Sequence, residues 1–306
     1  VTAAPAVTVV IATLNREEPL VDTVRYFLQG ETAEDFELIV VDQTRRHEPE
    51  TERYLSSEKD RFRWIRVDYA NLPRARNDGA RAARGWVVLY VDDDVAPEEG
   101  FVAAHLRAYA DPRTRGVTGP VKAPGKPLLG RADVGEKEVR ALEAALKMRF
   151  DVDFAYPARW AGGCNMSFRR GTILAAGGFD ETFRGGVLAG EDEEFGFRVR
   201  RTVGGEIRYV PEAALVHLKA KTGGCRSENK GPTFMVKHAF NVGYRLARLR
   251  LPAAERLAHV WSEFRGRVLH RRALTDLSAP ANVFAFFWGL CGGIREAGRN
   301  EGRRWL

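Results

Sequence analysis

Apolar and polar positions fall along this chain in blocks whose period switches between that of strands and that of helices. Val7-Thr8-Val9-Val10-Ile11-Ala12 is a largely apolar run, Thr13-Leu14-Asn15-Arg16-Glu17 breaks it, and apolar residues at helical spacing follow from about Leu20 to Leu28. Phe36 to Asp42 predicts a second strand that closes on an acid, and Phe62 to Val67 a third. The alanine-rich segment Arg74 to Arg84 reads as a helix and Trp86 to Val91 as a fourth strand. Such alternation predicts an α/β fold built on a single Rossmann-like sheet, mixed or mostly parallel, with helices on both faces. Ligands of these sheets gather beyond the carboxyl ends of the strands, where Thr13, Asp42 and Asp92 to Asp94 all fall.

Further on, the pattern predicts a helix over 97–110, with Pro97 in its tolerant first turn, and a strand from Val117 to Val121. Residues 122–133, rich in glycine, proline and lysine and without period, read as a loop. Helical spacing over 134–150 precedes a strand entered from a glycine turn, Gly162 to Arg169, then a short helix over 171–176 and a turn at Gly177 to Glu181. Gly190-Glu191-Asp192 leads into a helix from Glu193 to Val203, and Ala213 to Val216 is strand-like and delivers His217. Helices are expected over 233–250, with a basic outer face, and over about 253–272. The last apolar block, Val283 to Cys291, is too short for a membrane span, which needs ~20 apolar residues. Flanked by Arg295, Arg299, Arg303 and Arg304, it suits either an in-plane position at a bilayer interface or packing of its aromatics on the core.

With 306 residues, 44% of them hydrophobic, the chain can bury a full α/β core and carry a small appended region. Cys164, Cys225 and Cys291 are spaced too widely for a zinc knuckle and cannot all pair with one another, which favours a reducing compartment. Residues 1–6 lack the basic lead of a signal peptide, so the expected location is the cytoplasm. The formal charge of +7 is uneven, with bases crowded beyond Lys219 and acids near Asp92 and Glu191. Such a balance suits anionic partners: nucleoside diphosphates, a lipid surface or nucleic acid. No zinc pattern or interleaving of aromatic and basic residues supports the last of these.

The acids carry the most pointed chemistry. Val87 to Val91 ends in Asp92-Asp93-Asp94, and like charges in a cluster are costly unless a cation is shared among them. Hard cations such as Mg2+ and Mn2+ prefer oxygen ligands, so a metal-assisted reaction on a phosphorylated substrate is one implication. A helix cap or solvated turn would use acids in the same place. Glu191 to Glu194 open a helix, where acids also suit the helix dipole. Arg76, near the strand-end crevice, can neutralise a diphosphate through directed donors or form a surface ion pair.

From Val7 to His217 these motifs, in this order, resemble family 2 glycosyltransferases, nucleotide-sugar-dependent enzymes of the GT-A fold. The resemblance implies that Val9 to Arg16 begins the nucleotide pocket, with Thr13, Asn15 and Arg16 beside the nucleotide. It implies that Asp42 contacts the base, although Gln43-Thr44 departs from the commoner Asp-Gly-Ser pattern. Asn71 to Ala80 is similar to the family's loop and helix start, which implies Arg76 and Asn77 beside the nucleotide. Asp92-Asp93-Asp94 resembles the Asp-x-Asp metal motif. By that likeness Asp94 contacts a divalent ion, Mn2+ or Mg2+, Asp92 holds the ribose or positions the metal, and Asp93 joins the nucleotide-binding set. Glu191-Asp192 resembles the Glu-Asp motif beneath the acceptor, which implies Asp192 as general base and Glu191 as an orienting group. Gly162 to Met166 and Gly177 to Glu181 look like two further signatures, implying Asn165 and Asp180 near donor sugar or acceptor. His217 stands where related enzymes bring a histidine to the metal. The basic stretch 219–230 reads as a loop that closes on diphosphate or as plain surface.

The implied activity is metal-dependent, inverting transfer of a sugar from a nucleoside-diphosphate-sugar to a hydroxyl of a saccharide or lipid-linked acceptor, in the cytoplasm or on the inner face of the membrane. The implied division is a GT-A catalytic domain over 1–230, with a nucleotide-sugar half to about 120 and an acceptor half over 121–230, and a basic amphipathic helical extension over 231–306. A sugar-1-phosphate nucleotidyltransferase is a second reading. Those enzymes usually carry a glycine-rich phosphate loop where this chain has Thr13-Leu14-Asn15-Arg16. A non-catalytic nucleotide-binding or interaction protein is a third, against which the acids Asp92, Asp94 and Asp192 argue.

Overall fold

The computed structural model describes residues 4–30, 36–185, 190–224, 232–269 and 279–306. Strands β1 (Val7–Thr13), β2 (Phe36–Asp42), β3 (Arg63–Arg66) and β4 (Val87–Val91) pair in parallel, in the order β3-β2-β1-β4. Three further elements, β5 (Val95–Pro97), β6 (Thr114–Thr118) and β7 (Val121–Lys122), follow in the chain, then β8 (Tyr156–Ala158), β9 (Asn165–Arg169), β10 (Glu206–Tyr209) and β11 (Leu215–His217). β9 runs antiparallel between β4 and β6, β10 lies parallel to β6, and β8 closes the edge antiparallel to β10. The sheet is therefore mixed, as expected. The expectation of a single sheet needs one correction: β5, β11 and β7 form a second, three-stranded sheet.

The near-continuous apolar runs of β1, β2 and β4 are explained by cover on both faces. Successive residues point to opposite sides. Val10, Ile39, Val41, Val88 and Tyr90 join Ala75 and Ala80 of the helix over Leu72–Ala82 and Phe195 and Val199 further along. Val9, Ile11, Leu38, Val40, Leu89 and Val91 join Leu20, Val24 and Phe27 on the other side. The helices of this part are α1 (Glu18–Gly30), α2 (Pro49–Ser57), α3 (Leu72–Ala82), α4 (Phe101–Arg107), α5 (Arg131–Val134), α6 (Glu136–Glu143), α7 (Arg170–Ala176) and α8 (Glu191–Thr202).

Some local expectations change for identifiable reasons. Pro97 ends β5 and does not start a helix, because Val95 to Pro97 pair with β11; α4 begins only after Gly100, which is left-handed at φ 72°. The strand expected over Val117 to Val121 divides at Gly119-Pro120 between the two sheets, and an added Cβ at Gly119 would run into the carbonyl of Ala213. The long helix expected over 134–150 stops at Glu143, since Ala145 turns left-handed (φ 52°) and Met148 and Phe150 fold back onto the main core.

The C-terminal extension is helical as expected: α9 (Pro232–Leu249), α10 (Ala253–Arg267) and α11 (Ala279–Arg299). The expected basic outer face of α9 is not there. Its residues 234–249 are all buried or half-buried, and Arg245 and Arg248 turn inward to the acids of α8. Arg245 Nη1 lies 3.0 Å from Glu193 Oε2. α11 crosses α9 with its backbone close, so that a Cβ at Gly243, Gly289 or Gly293 would meet a carbonyl of the facing helix. The aromatic block is split: Ala285, Phe286 and Leu290 are buried, while Phe284, Phe287 and Trp288 are exposed. Among the described residues no helix is long and apolar enough to cross a membrane. Residues 270–272, at the end of the expected second helix, lie outside the described residues.

Candidate active site

Asp92 to Asp94 follow the fully buried β4 directly, and the chain then enters β5. The antiparallel register of β5 with β11 sets Val95 opposite His217, which carries the imidazole to the acids across more than a hundred residues. His217 Nε2 lies 3.4 Å from Asp94 Oδ1 and 3.6 Å from Asp92 Oδ2, and one donor atom from each of the three falls within 4.8 Å of the others. The backbone fixes Asp94 further: its carbonyl accepts from the Leu218 N–H and its Oδ2 from the Ala220 N–H, each at 2.8 Å. The Asp92 side chain is 36% exposed and Asp94 nearly buried, so the cluster opens on the Asp92 side. Two carboxylates and one imidazole fit Mn2+ or Mg2+ and leave positions for other oxygen ligands. Burial opposes ionisation of Asp92, but His217 and Arg76 outweigh it and hold that carboxyl below its ordinary range.

Asp93 points elsewhere. It accepts from the Thr13 hydroxyl (2.7 Å) and from Arg16 Nε (3.1 Å), and Arg16 Nη2 stands 3.5 Å from Asp94. Burial, with Asp92 and Asp94 alongside, raises its carboxyl to about 7 despite Arg16 and Thr13. The triple of acids is thus divided between a cation cluster and a buried tie to the first strand.

Arg76 of α3 joins this cluster to the second acidic motif. It donates to Glu191 Oε1 at 2.7 Å and to the Gly163 carbonyl at 3.2 Å, and its Nη2 lies 4.0 Å from Asp92. Asp192, in the first turn of α8, accepts from the N–H groups of Gly163 and Glu193, each at 2.8 Å. Burial and the neighbouring Glu191 raise Asp192 to about 7, with Arg76 and the two N–H groups opposing. The same surroundings, burial first and then Asp92 and Asp192, push the Cys164 thiol well up, which suits a filler and not a nucleophile.

The remaining expected site residues divide into those that face the crevice region and those that support it. Thr13 and Arg16 lie against Asp93, and Asn15, exposed and left-handed at φ 52°, donates its N–H to Thr44 Oγ1 (2.8 Å). Asp42 is fully buried and its carboxylate accepts from the Thr44 N–H, His47 and Trp64. Asn77 is likewise buried, bonded to the backbone of Phe179 and to Glu181. Asn165, expected near the sugar, is buried with its amide bonded to the carbonyls of Pro120 and Ala213 and to His105. Asp180 is buried too, accepting from Tyr244 (2.6 Å) and the Thr182 N–H. Of the basic loop, residues up to Gly224 fold onto the first-strand loop. Gly224 N–H donates to the Leu14 carbonyl at 2.9 Å and Arg16 to the Thr222 carbonyl, while residues 225–230 lie outside the described residues. Two histidines escaped sequence reading: His47, held between Asp42 and Glu17, and His105, between Ser167 and Asn165. His105 depends wholly on partners from another strand, and His47 joins the nearby Asp42 to the distant Glu17.

Glycosyl transferase family 2 matches the chain over residues 8–170, more than half its length. Over 230 residues the chain is 29% identical to validoxylamine A glucosyltransferase of Streptomyces hygroscopicus subsp. limoneus, covering 64% of this chain and 48% of that protein. It therefore spans about half the length of this curated relative. Among solved structures it is similar to GalNAc-T7 with UDP, GalNAc and Mn2+ (TM-score 0.64, 14% identity, 98% of this chain and 58% of that one). It is similar also to residues 1–349 of S. aureus TarS with UDP-GlcNAc (0.60, 14%, 95% and 83%). A third is the mannosyltransferase PcManGT of Pyrobaculum calidifontis with GDP-Man and Mn2+ (0.56, 15%, 98% and 89%). At such identities the likeness is one of fold, and kinship rests on the match that spans β1 to the end of β9: this chain belongs to glycosyl transferase family 2.

Proposed function

We propose that this protein is a metal-dependent inverting glycosyltransferase that moves a sugar from a nucleoside-diphosphate-sugar to an acceptor hydroxyl. The observation that carries the reading is the Arg76 bridge, which ties the Asp92-Asp94-His217 cluster to the Glu191-Asp192 pair. A divalent cation, Mn2+ or Mg2+, on Asp92, Asp94 and His217 would stabilise charge developing on the departing diphosphate. Arg76 adds fixed positive charge beside that leaving group, and Thr13, Asn15 and Arg16 form the floor of the nucleotide pocket. Asp192 takes the proton of the acceptor hydroxyl; a carboxyl near 7 is well poised for that at neutral pH. Glu191 orients Arg76 and keeps Asp192 basic. One base and direct displacement give inversion at the anomeric carbon. Asp42, Asn77, Asp93 and Asn165 act by holding the strand ends and loops that carry these groups.

We propose with it a division into a catalytic domain over 1–230, with donor and acceptor halves meeting near 120, and an extension over 231–306. The acceptor is a saccharide hydroxyl, free or lipid-linked, and a lipid-linked one would place the reaction on the cytoplasmic face of a membrane. Family membership supports sugar transfer over nucleotidyl transfer. The three similar structures contain uridine or guanosine nucleotides, so a donor panel should include both. In a thermal-shift screen with Mn2+ or Mg2+, one donor class is expected to stabilise the protein only with metal present, and Asp94→Ala to abolish the shift. Equal shifts with chelator would remove the metal from the account.

A further inference from the structure

α10 and α11 turn the wrong faces outward for ordinary surface helices. In α10, Glu255 and Glu263 face the protein, 3.6 Å from Arg159 and 3.0 Å from His238, whereas Leu257 and Trp261 are 69% and 58% exposed. No residue of α10 is buried. α11 spends Ala285, Phe286, Leu290 and Ala297 on the protein interior yet leaves Phe284, Phe287, Trp288 and Ile294 exposed, Trp288 by 67%. Ring contacts join the two outward faces: Trp261 to Phe264 at 6.1 Å, Phe264 to Phe287 at 5.6 Å, and Phe284 to Trp288 at 5.9 Å. A contiguous aromatic surface of this kind marks a contact with something apolar.

Charge selects the partner. Among the described residues, every charged residue of the two helices that is exposed as a whole is an arginine: Arg256, Arg265, Arg295 and Arg299. Their three glutamates, Glu255, Glu263 and Glu296, are half-buried and paired. We propose that α10 and α11 form a docking surface for an anionic lipid bilayer, lying in the plane of the interface with Trp261, Phe284, Phe287 and Trp288 at the acyl boundary and the arginines on lipid phosphates. Aromatic rings favour that depth, and arginine meets phosphate through paired donors. The helices lie along the membrane and do not cross it, since the opposite face of α11 is committed to α9. A second copy of the chain is the poorer occupant, because a symmetric contact would bring Arg256, Arg265 and Arg295 together while the glutamates of these helices are already paired. The surface stands on the two helices alone, apart from the donor chemistry.

The test uses the full chain and vesicles of phosphatidylcholine with or without phosphatidylglycerol. Co-sedimentation with the anionic vesicles is expected, at least ~10-fold tighter than with neutral ones and weakened by salt, with a blue shift of tryptophan emission. Phe284→Ser with Trp288→Ser should weaken binding at least ~10-fold, and Arg265→Gln with Arg295→Gln should remove the preference for anionic lipid. Circular dichroism and the thermal midpoint of each variant check that it is folded. Failure of the folded wild-type chain to bind anionic vesicles overturns the proposal. So does a wild-type dimer that the aromatic substitutions convert to monomer, which would assign the surface to a second copy.

Discussion

Glu191→Gln removes one negative charge beside Asp192 with little change of shape, and its effect should be read in the pH dependence of turnover. Asp192 lies at about 7 because burial disfavours its charge and Glu191 repels it. Both effects bias the group against its ionised form relative to an ordinary aspartate. A base must be ionised to accept a proton, so kcat/KM should climb about tenfold per pH unit on the acid side and level off above about 7. A neighbouring charge in a partly buried site is worth ~1–3 kcal/mol. Its removal should therefore move the acid limb down by ~1–2 pH units. Loss of the Glu191 partner also frees Arg76 to act on Asp192, which pushes in the same direction. Donor hydrolysis, with water in place of the acceptor, supplies the assay by release of nucleoside diphosphate. Asp192→Asn, in the same assay, should lower turnover by ~10²–10⁴ and leave donor affinity unchanged. A flat pH profile in the wild type, an acid limb that moves upward in Glu191→Gln, or full activity in Asp192→Asn would refute the assignment.

Arg16→Ala leaves Asp93 and Asp94 facing each other with their guanidinium removed, and breaking such a buried pair costs ~3–5 kcal/mol. The thermal midpoint should fall and recover in part with Mn2+; an unchanged midpoint contradicts the pairing. Asn165→Ala strips partners from His105 and from the carbonyls of Pro120 and Ala213, at ~1–3 kcal/mol for each group left buried and unpaired. Urea should unfold it earlier while donor affinity holds, and the reverse pattern would put Asn165 back against a ligand. Gly293→Ala forces a methyl into the Phe240 carbonyl, and overpacking of this kind costs ~1–3 kcal/mol. Limited proteolysis should then cut near α11 sooner than in the wild type, and equal rates would show that α11 is not held there.

What was legible in the sequence is what local patterns determine. The bounds of β2 follow from an apolar run, Leu38 to Val41, that closes on Asp42. The acids of β4 and α8 were recognisable because the residues that carry them are adjacent in the chain. Contacts set by distant partners were not legible. His217 stood out only by resemblance, since its approach to Asp94 depends on the register of β11 against β5. Asn77, Asn165 and Asp42 carry polar groups at places where a ligand is expected, yet their bonds go to Phe179, Pro120, Ala213 and Trp64, residues that sequence spacing does not bring near. Arg245 and Arg248 looked like a solvated basic face until the packing of α9 on α8 gave them acids to meet.

The central claim is that strand-end carboxylates and His217 grip one divalent cation beside the diphosphate. Anomalous diffraction from a crystal grown with manganese and the nucleoside diphosphate that the screen selects tests it most directly. The account predicts one manganese peak with ligand oxygens of Asp94, the imidazole of His217 and diphosphate oxygens at about 2 Å. A well-ordered diphosphate with no manganese between it and Asp94, or manganese bound at another set of residues, would contradict it.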